Sequence, residues 1–201
     1  MSPNVLRRFI VIVGIATVVM FGVWTGTSYF SPPPGDYEVR KGDIHLRGGE
    51  WQAALADFTA ALEEQPDHRG ALMGRAIAYL QGGQAVEAEA EFTYLIDYLT
   101  DTLVEDDPTG RGTLAAAYAN RGILRDRDGR HEAALEDYIE SLRIDQGAVS
   151  GPNIFHKVLH DARPSTVRDR AQYLYDQFQL PENQRVLSVP EFDARQRMHK
   201  P

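Results

Sequence analysis

Few residues in this chain have the types and spacing that chemistry needs. His156 and His160 stand four apart in a stretch that reads as helical, so both imidazoles would face one side and could meet a metal ion. No glutamate lies between them to make H-E-x-x-H and no third ligand is indicated, so they read as surface or cap-packing histidines. The stretch PTGRGT, from Pro108 to Thr113, has the glycines of a phosphate loop but neither its lysine nor the G-x-x-x-x-G-K-[ST] spacing, and reads as part of a polar turn. Carboxylates are many, among them Glu87, Glu89, Glu91 and the run Glu105, Asp106 and Asp107. Acid–base work needs two of them held at a defined separation in a pocket that shifts their pKa values. Glu87, Glu89 and Glu91 alternate with Ala88, Ala90 and Phe92, which on a helix spreads them around an exposed surface. No serine, cysteine or lysine sits in a nucleophile motif. The expectation is a protein that is not an enzyme, with no catalytic residue, metal or cofactor, whose work is binding.

A binding surface has to be positioned, and the stretch from Gly42 to Pro66 indicates by what. A first helix ends at Gly48 and Gly49, where the turn usually needs one residue at positive φ. A second carries Ala54, Leu55, Phe58, Ala61 and Leu62 at i, i+1, i+4, i+7 and i+8, one apolar stripe at helical period. Pro66 stops it. Such a hairpin buries only one face by itself and needs neighbours, which the chain supplies. A shift of 34 sets Gly49 on Gly83, Ala54 on Ala88 and Phe58 on Phe92. A further shift of 46 sets Gly83 on Gly129, Ala88 on Ala134 and Phe92 on Tyr138, with Gly122 in the role of Gly42.

This pattern resembles the tetratricopeptide repeat, whose period is about 34 residues, with small residues where two helices cross and an aromatic in the second helix. The matching positions are Gly42, Gly49, Ala54, Phe58, Ala61 and Pro66, then Ala76, Tyr79, Gly83, Ala88 and Phe92, then Gly122, Gly129, Ala134 and Tyr138. The usual Trp or Leu early in the first helix is Glu38, Leu72 and Tyr118, and the third copy ends in Gln146 rather than proline. The resemblance implies an all-α solenoid of about three hairpins over 36–146 (36–68, 69–114 and 115–146). It also implies that the first helices line a concave groove for a peptide or a partner helix. The groove residues by that resemblance are Val39, Asp43, Leu46, Arg47, Met73, Ile77, Leu80, Ala119, Ile123 and Asp126. The Lys, Arg and Asn set with which some members grip a C-terminal carboxylate is not evident. An apolar floor with Arg47 and Asp43 at one end suits an amphipathic helix or a hydrophobic segment of a protein partner.

The 46-residue spacing comes from an overrun of the second copy, where Phe92, Leu95, Ile96, Leu99 and Leu103 keep the helical stripe before the polar stretch 105–112. Insertions in repeat arrays collect in inter-helix connections and often lie on a binding face. After a loop at 147–153, a short helix at 154–162 and another from Pro164, with Ser165 as its N-cap, read as a helical cap over 147–180. The tail, 181–201, has no sustained period, though Val186, Leu187 and Phe192 could dock.

The N-terminal end has a different composition. Residues 9–30, after Arg7 and Arg8, hold no charge and are long enough to span a bilayer. Trp24, Tyr29 and Phe30 sit at the far end, where aromatic side chains favour the headgroup layer. The arginine pair favours a cytoplasmic 1–8 segment, so the expectation is a single-pass signal anchor in a bacterial inner membrane with the repeats in the periplasm. The rival, a cleaved signal peptide, has a shorter apolar region and a better small-residue cleavage site. Gly22 and Gly26 form a G-x-x-x-G that could bring two such helices together in a homo-oligomer. Three prolines make 31–35 a stiff spacer. Net charge is −8 in all, and −10 without the +2 of Arg7 and Arg8, which argues against nucleic acid. There is no cysteine, hence no disulfide or zinc–thiolate site. These features together point to a membrane-anchored scaffold, assembly factor or accessory subunit of a membrane or periplasmic complex. A regulator of a cell-wall enzyme and a homo-oligomerising structural protein are the alternatives.

Overall fold

The computed structural model describes residues 3–30, 33–147, 149 and 166–190. The expectations for His156, His160, the helix at 154–162, Ser165 and Phe192 lie outside the described residues. Helix α1 (Pro3–Phe30) contains Val5–Gly26, 22 residues long and apolar enough to cross a membrane, with none of it buried against the rest of the chain. It begins before Arg7 and Arg8 because nothing between Val5 and Arg8 breaks a helix. A Cβ on Gly22 or Gly26 would meet no atom within 4 Å.

Helices α2 (Asp36–Arg47) and α3 (Trp51–Glu64) form the first hairpin, α4 (Arg69–Gln81) and α5 (Ala85–Thr102) the second, and α6 (Pro108–Arg127) and α7 (His131–Ile144) the third. Helix α8 (Val167–Phe178) and a 3-10 turn (Glu182–Gln184) follow, and every regular element among the described residues is helical. The first helix of each later hairpin packs on the second helix of the hairpin before it, and α8 packs on α7 in the same way. The fold is an all-α solenoid.

The small residues make this stacking possible. Phe58 is fully buried between α2 and α4, and an added Cβ on Gly42 would come within 2.8 Å of its ring; one on Gly74 would overlap the ring outright. Tyr138 holds the equivalent place against Gly122 in the third hairpin. Ala54, Ala61, Ala76, Ala88, Phe92 and Ala134 are also fully buried, whereas Tyr79 is half-buried and Pro66 exposed just past the end of α3. Gly49, Gly83 and Gly129 take φ of 77°, 75° and 77° at the three turns, a region that side chains with a Cβ rarely adopt. Helix α6 is apolar on two sides because it is covered on both. Leu114, Ala117 and Leu124 join the core of the first two hairpins, while Ala119 and Ile123 join Tyr138 and the α8 residues Val167, Ala171 and Leu174.

Three sequence expectations change. PTGRGT is not a turn: Pro108 is at the start of α6, which Asp107 caps by accepting the Gly110 N–H at 2.7 Å. The third hairpin therefore starts well before residue 115. Glu89 and Glu91 are not spread over a free surface either. Glu89 accepts hydrogen bonds from Arg125 (2.8 Å) and Arg130 (2.6 and 2.9 Å), and Glu91 from Arg75 (2.6 Å), because their helix faces the neighbouring first helices there. Only Glu87 of the three is exposed. The N-cap of α8 is Thr166, in a capping box with Asp169.

Candidate protein-binding cleft

A cleft of about 600 Å³ opens where α2, α4 and α6 begin and the long α5 passes behind them. Its walls are tied by polar pairs that join one hairpin to the next. His68 caps α4, accepting the Ala71 N–H at Nδ1 (3.3 Å), and donates from Nε2 to Asp36 Oδ1 of α2 (2.9 Å), which fixes the tautomer with the proton on Nε2. The Tyr98 hydroxyl donates to Asp67 Oδ2 (2.9 Å). That bond holds the Asp67 carboxyl below its ordinary range and pushes the Tyr98 phenol up. Arg69 at the start of α4 pairs with Asp107 at the start of α6. The Gly110 backbone N–H, and after it Arg69, holds Asp107 below the usual carboxylate range. Gly70 and Met73 form the floor, and Thr109 and Thr113 the α6 side. Asn120 backs the floor, donating to the Met73 sulfur at 3.4 Å.

A concave, partly apolar surface with its charges already paired is suited to holding a chain segment, not to moving protons. The nearest approach to a catalytic constellation lies elsewhere. His131 Nδ1 meets Asp126 at 2.8 Å and its Nε2 lies 3.4 Å from the Ser188 hydroxyl. This has the connectivity of a serine triad. Both Asp126 oxygens, however, also accept from Arg170 (2.6 and 2.8 Å), so the carboxylate is committed to a buried ion pair and not to the imidazole alone. Among the described residues no group of three or more His, Asp or Glu is arranged to hold a metal.

The groove read from the repeat resemblance is redistributed. Leu46, Met73, Ile77, Ala119, Ile123 and Asp126 are buried, Val39, Asp43 and Leu80 half-buried, and Arg47 exposed. Of the ten only Met73 lines the cleft. For Ala119, Ile123 and Asp126 this corrects the groove, because the C-terminal part of the chain covers them. Ala119 and Ile123 are covered by α8, and Asp126 is the centre of a buried network with Arg170, His131 and the Tyr138 hydroxyl (3.2 Å). Arg170 is itself fully buried and donates to the Leu187 carbonyl at 2.8 Å, which straps 185–188 onto the third hairpin. Asp36, Asp67, His68, Arg69, Tyr98 and Thr109 were not singled out by the repeat pattern, because they sit at helix starts and in the insertion, outside the positions that repeat.

With this geometry in view, residues 39–99 match the tetratricopeptide repeat family. That match covers the first two hairpins, and the third repeats their packing with Tyr138 against Gly122. Such repeats are protein-binding modules. The chain is also 29% identical over 106 residues to the photosystem I assembly protein Ycf3 of Rippkaea orientalis (strain PCC 8801 / RF-1). That match spans 50% of this chain and 60% of the relative, less than two thirds of either. No solved structure matches the chain.

Proposed function

We propose that this chain is a membrane-anchored assembly factor or accessory subunit, which holds a segment of a partner protein in the cleft between its first helices. The cleft carries the reading: it is concave, has a small apolar floor at Gly70 and Met73, and its polar rim is already paired, so an extended peptide or helix would meet satisfied groups and not bare charges. The assembly role is supported by the likeness to an assembly protein, and the anchor by the length and apolarity of α1. An anchored module meets membrane partners at raised effective concentration, so modest affinity suffices. The topology that goes with it is an N-terminus in the bacterial cytoplasm and repeats in the periplasm, from the Arg7 and Arg8 pair.

Thr109→Trp tests this. Thr109 is exposed on the first turn of α6, and an indole there fills the mouth without removing a side-chain bond. Purified in mild detergent from its native membrane, the wild-type chain should bring down a near-stoichiometric partner that Thr109→Trp loses, with helicity and melting unchanged. Val86→Trp, on an exposed part of α5, should keep it. Equal recovery with both variants would remove the cleft from the reading, and recovery of the chain alone would favour self-association.

A further inference from the structure

The first hairpin of a solenoid has no predecessor to cover it, and such ends are normally polar. Here the uncovered face of α2 is not. Tyr37 and Ile44 are 64% and 62% exposed, whereas their equivalents under the 34- and 46-residue shifts, Ala71 and Ala78, then Ala117 and Leu124, are 0–4% exposed beneath the preceding hairpin. The face between Tyr37 and Ile44 holds the exposed Arg40 and the stem of Lys41, whose ammonium reaches back to Asp57, and no acidic residue at i+3, i+4 or i+7 from Tyr37. Where the inner copies have three alanines and a leucine beneath a helix neighbour, this copy has an exposed tyrosine and isoleucine, and Arg40 stands where they have Gly74 and Asn120. That combination fits the boundary between water and a lipid headgroup layer, where a tyrosine ring is half-wet and a guanidinium meets anionic lipid.

Chain length supplies the occupant. Only residues 31–35 separate α1 from α2, and five residues reach at most about 18 Å even fully extended. The start of α2 therefore cannot leave the vicinity of the membrane that α1 enters. We propose that the Tyr37–Ile44 face of α2 docks on the anionic headgroup surface of that membrane, so that the solenoid is held in one orientation with its first hairpin against the bilayer and not swinging on the spacer. This rests on the reading of α1 as a membrane anchor.

The chain has no cysteine, so single cysteines can report position. Full-length protein carrying Ile44→Cys, Ile139→Cys or Val18→Cys, each with an environment-sensitive fluorophore, would be reconstituted in phosphatidylethanolamine–phosphatidylglycerol vesicles. These would contain nitroxide lipids labelled on the headgroup or on the acyl chain. The headgroup nitroxide should quench the Ile44 fluorophore several-fold more than the one at Ile139, an exposed position on α7, and Arg40→Glu should reduce the difference. Equal quenching at 44 and 139, with Val18 still quenched by the acyl-chain nitroxide, would overturn the docking and leave the anchor standing. An unquenched Val18 would overturn the anchor, and the docking with it. Energy transfer between Ile44 fluorophores that disappears on dilution with unlabelled protein, without headgroup quenching, would assign the face to a second copy and overturn the lipid proposal.

Discussion

Lys41 Nζ lies 2.6 Å from Asp57 Oδ1, joining the two helices of the first hairpin, and the partners are sixteen residues apart in sequence. The same pairing, at the same separation, recurs as Arg75–Glu91 and as Arg121–Asp137. The exposure of the basic side chain falls from 52% to 22% to 12% along the series, since each later hairpin is covered by the one before it. An exposed pair is worth up to about 1 kcal/mol, whereas removing one member of a buried pair costs about 3–5 kcal/mol. Lys41→Ala should thus cost little stability. Asp137→Ala, which takes the carboxylate from the largely buried Arg121 and leaves Arg125 only Glu89, should cost about 3 kcal/mol. Urea unfolding of the two variants checks the order.

The junction between the second and third hairpins is acid-sensitive. The Arg130 guanidinium, and after it Arg125, holds the Glu89 carboxyl at about 2 against an ordinary 4.5. A carboxyl whose folded pKa is depressed stabilises the fold at pH above its unfolded value, and that contribution fades as pH falls from 4.5 towards about 2. Glu89→Gln should lower stability at pH 7 and flatten the loss over that window. Circular dichroism melts between pH 2 and 6 measure it; identical slopes for wild type and variant would contradict the assignment.

Gly74→Ala places a methyl group inside the Phe58 ring volume. Alanine gains up to about 1 kcal/mol in helix propensity, but overpacking of a rigid core costs about 1–3 kcal/mol, so the net change should be destabilising. Gly49→Ala meets no atom, and its cost should come from the φ of 77° alone. Thermal melts of the two variants separate the two mechanisms.

Arg170→Met leaves Asp126 buried against His131 and Tyr138 without its guanidinium, at a cost of about 3–5 kcal/mol. The double variant Asp126→Leu with Arg170→Met, which removes both charges, should recover much of that loss. Protease cleavage within 181–190 should become faster in the single variant, because Arg170 holds the Leu187 carbonyl beside the Tyr173 and Gln177 bonds to Val186.

Much of the scaffold is legible in the sequence because it rests on residue size at fixed spacing. Gly42, Ala54 and Phe58 recur as Ala76 and Gly122, Ala88 and Ala134, and Phe92 and Tyr138, and the structure buries them all. The sixteen-residue ion pair was equally open to reading, since a basic residue and an acidic one recur at both offsets. The cleft is less legible because its walls come from what does not repeat: the Asp67–Arg69 link between hairpins, Tyr98 in the overrun of α5, and Thr109 in a stretch whose glycines suggest a turn. A Cβ on Gly110 would overlap Leu103 and Asp107, and Gly112 is buried within α6, so neither glycine marks a bend. The repeat register alone puts Asp126 in the groove. Its burial follows from Arg170, forty-four residues away, and no local pattern encodes that pairing.

The most direct test of the central claim is site-specific photocrosslinking in intact native membranes, with a benzophenone amino acid at Thr109 in the cleft and, separately, at Ile139 on α7. The expected result is a discrete covalent adduct with one partner chain from position 109 and none from 139. An adduct from 139 alone, or no adduct from 109 under conditions where the partner co-purifies, would contradict binding in the cleft.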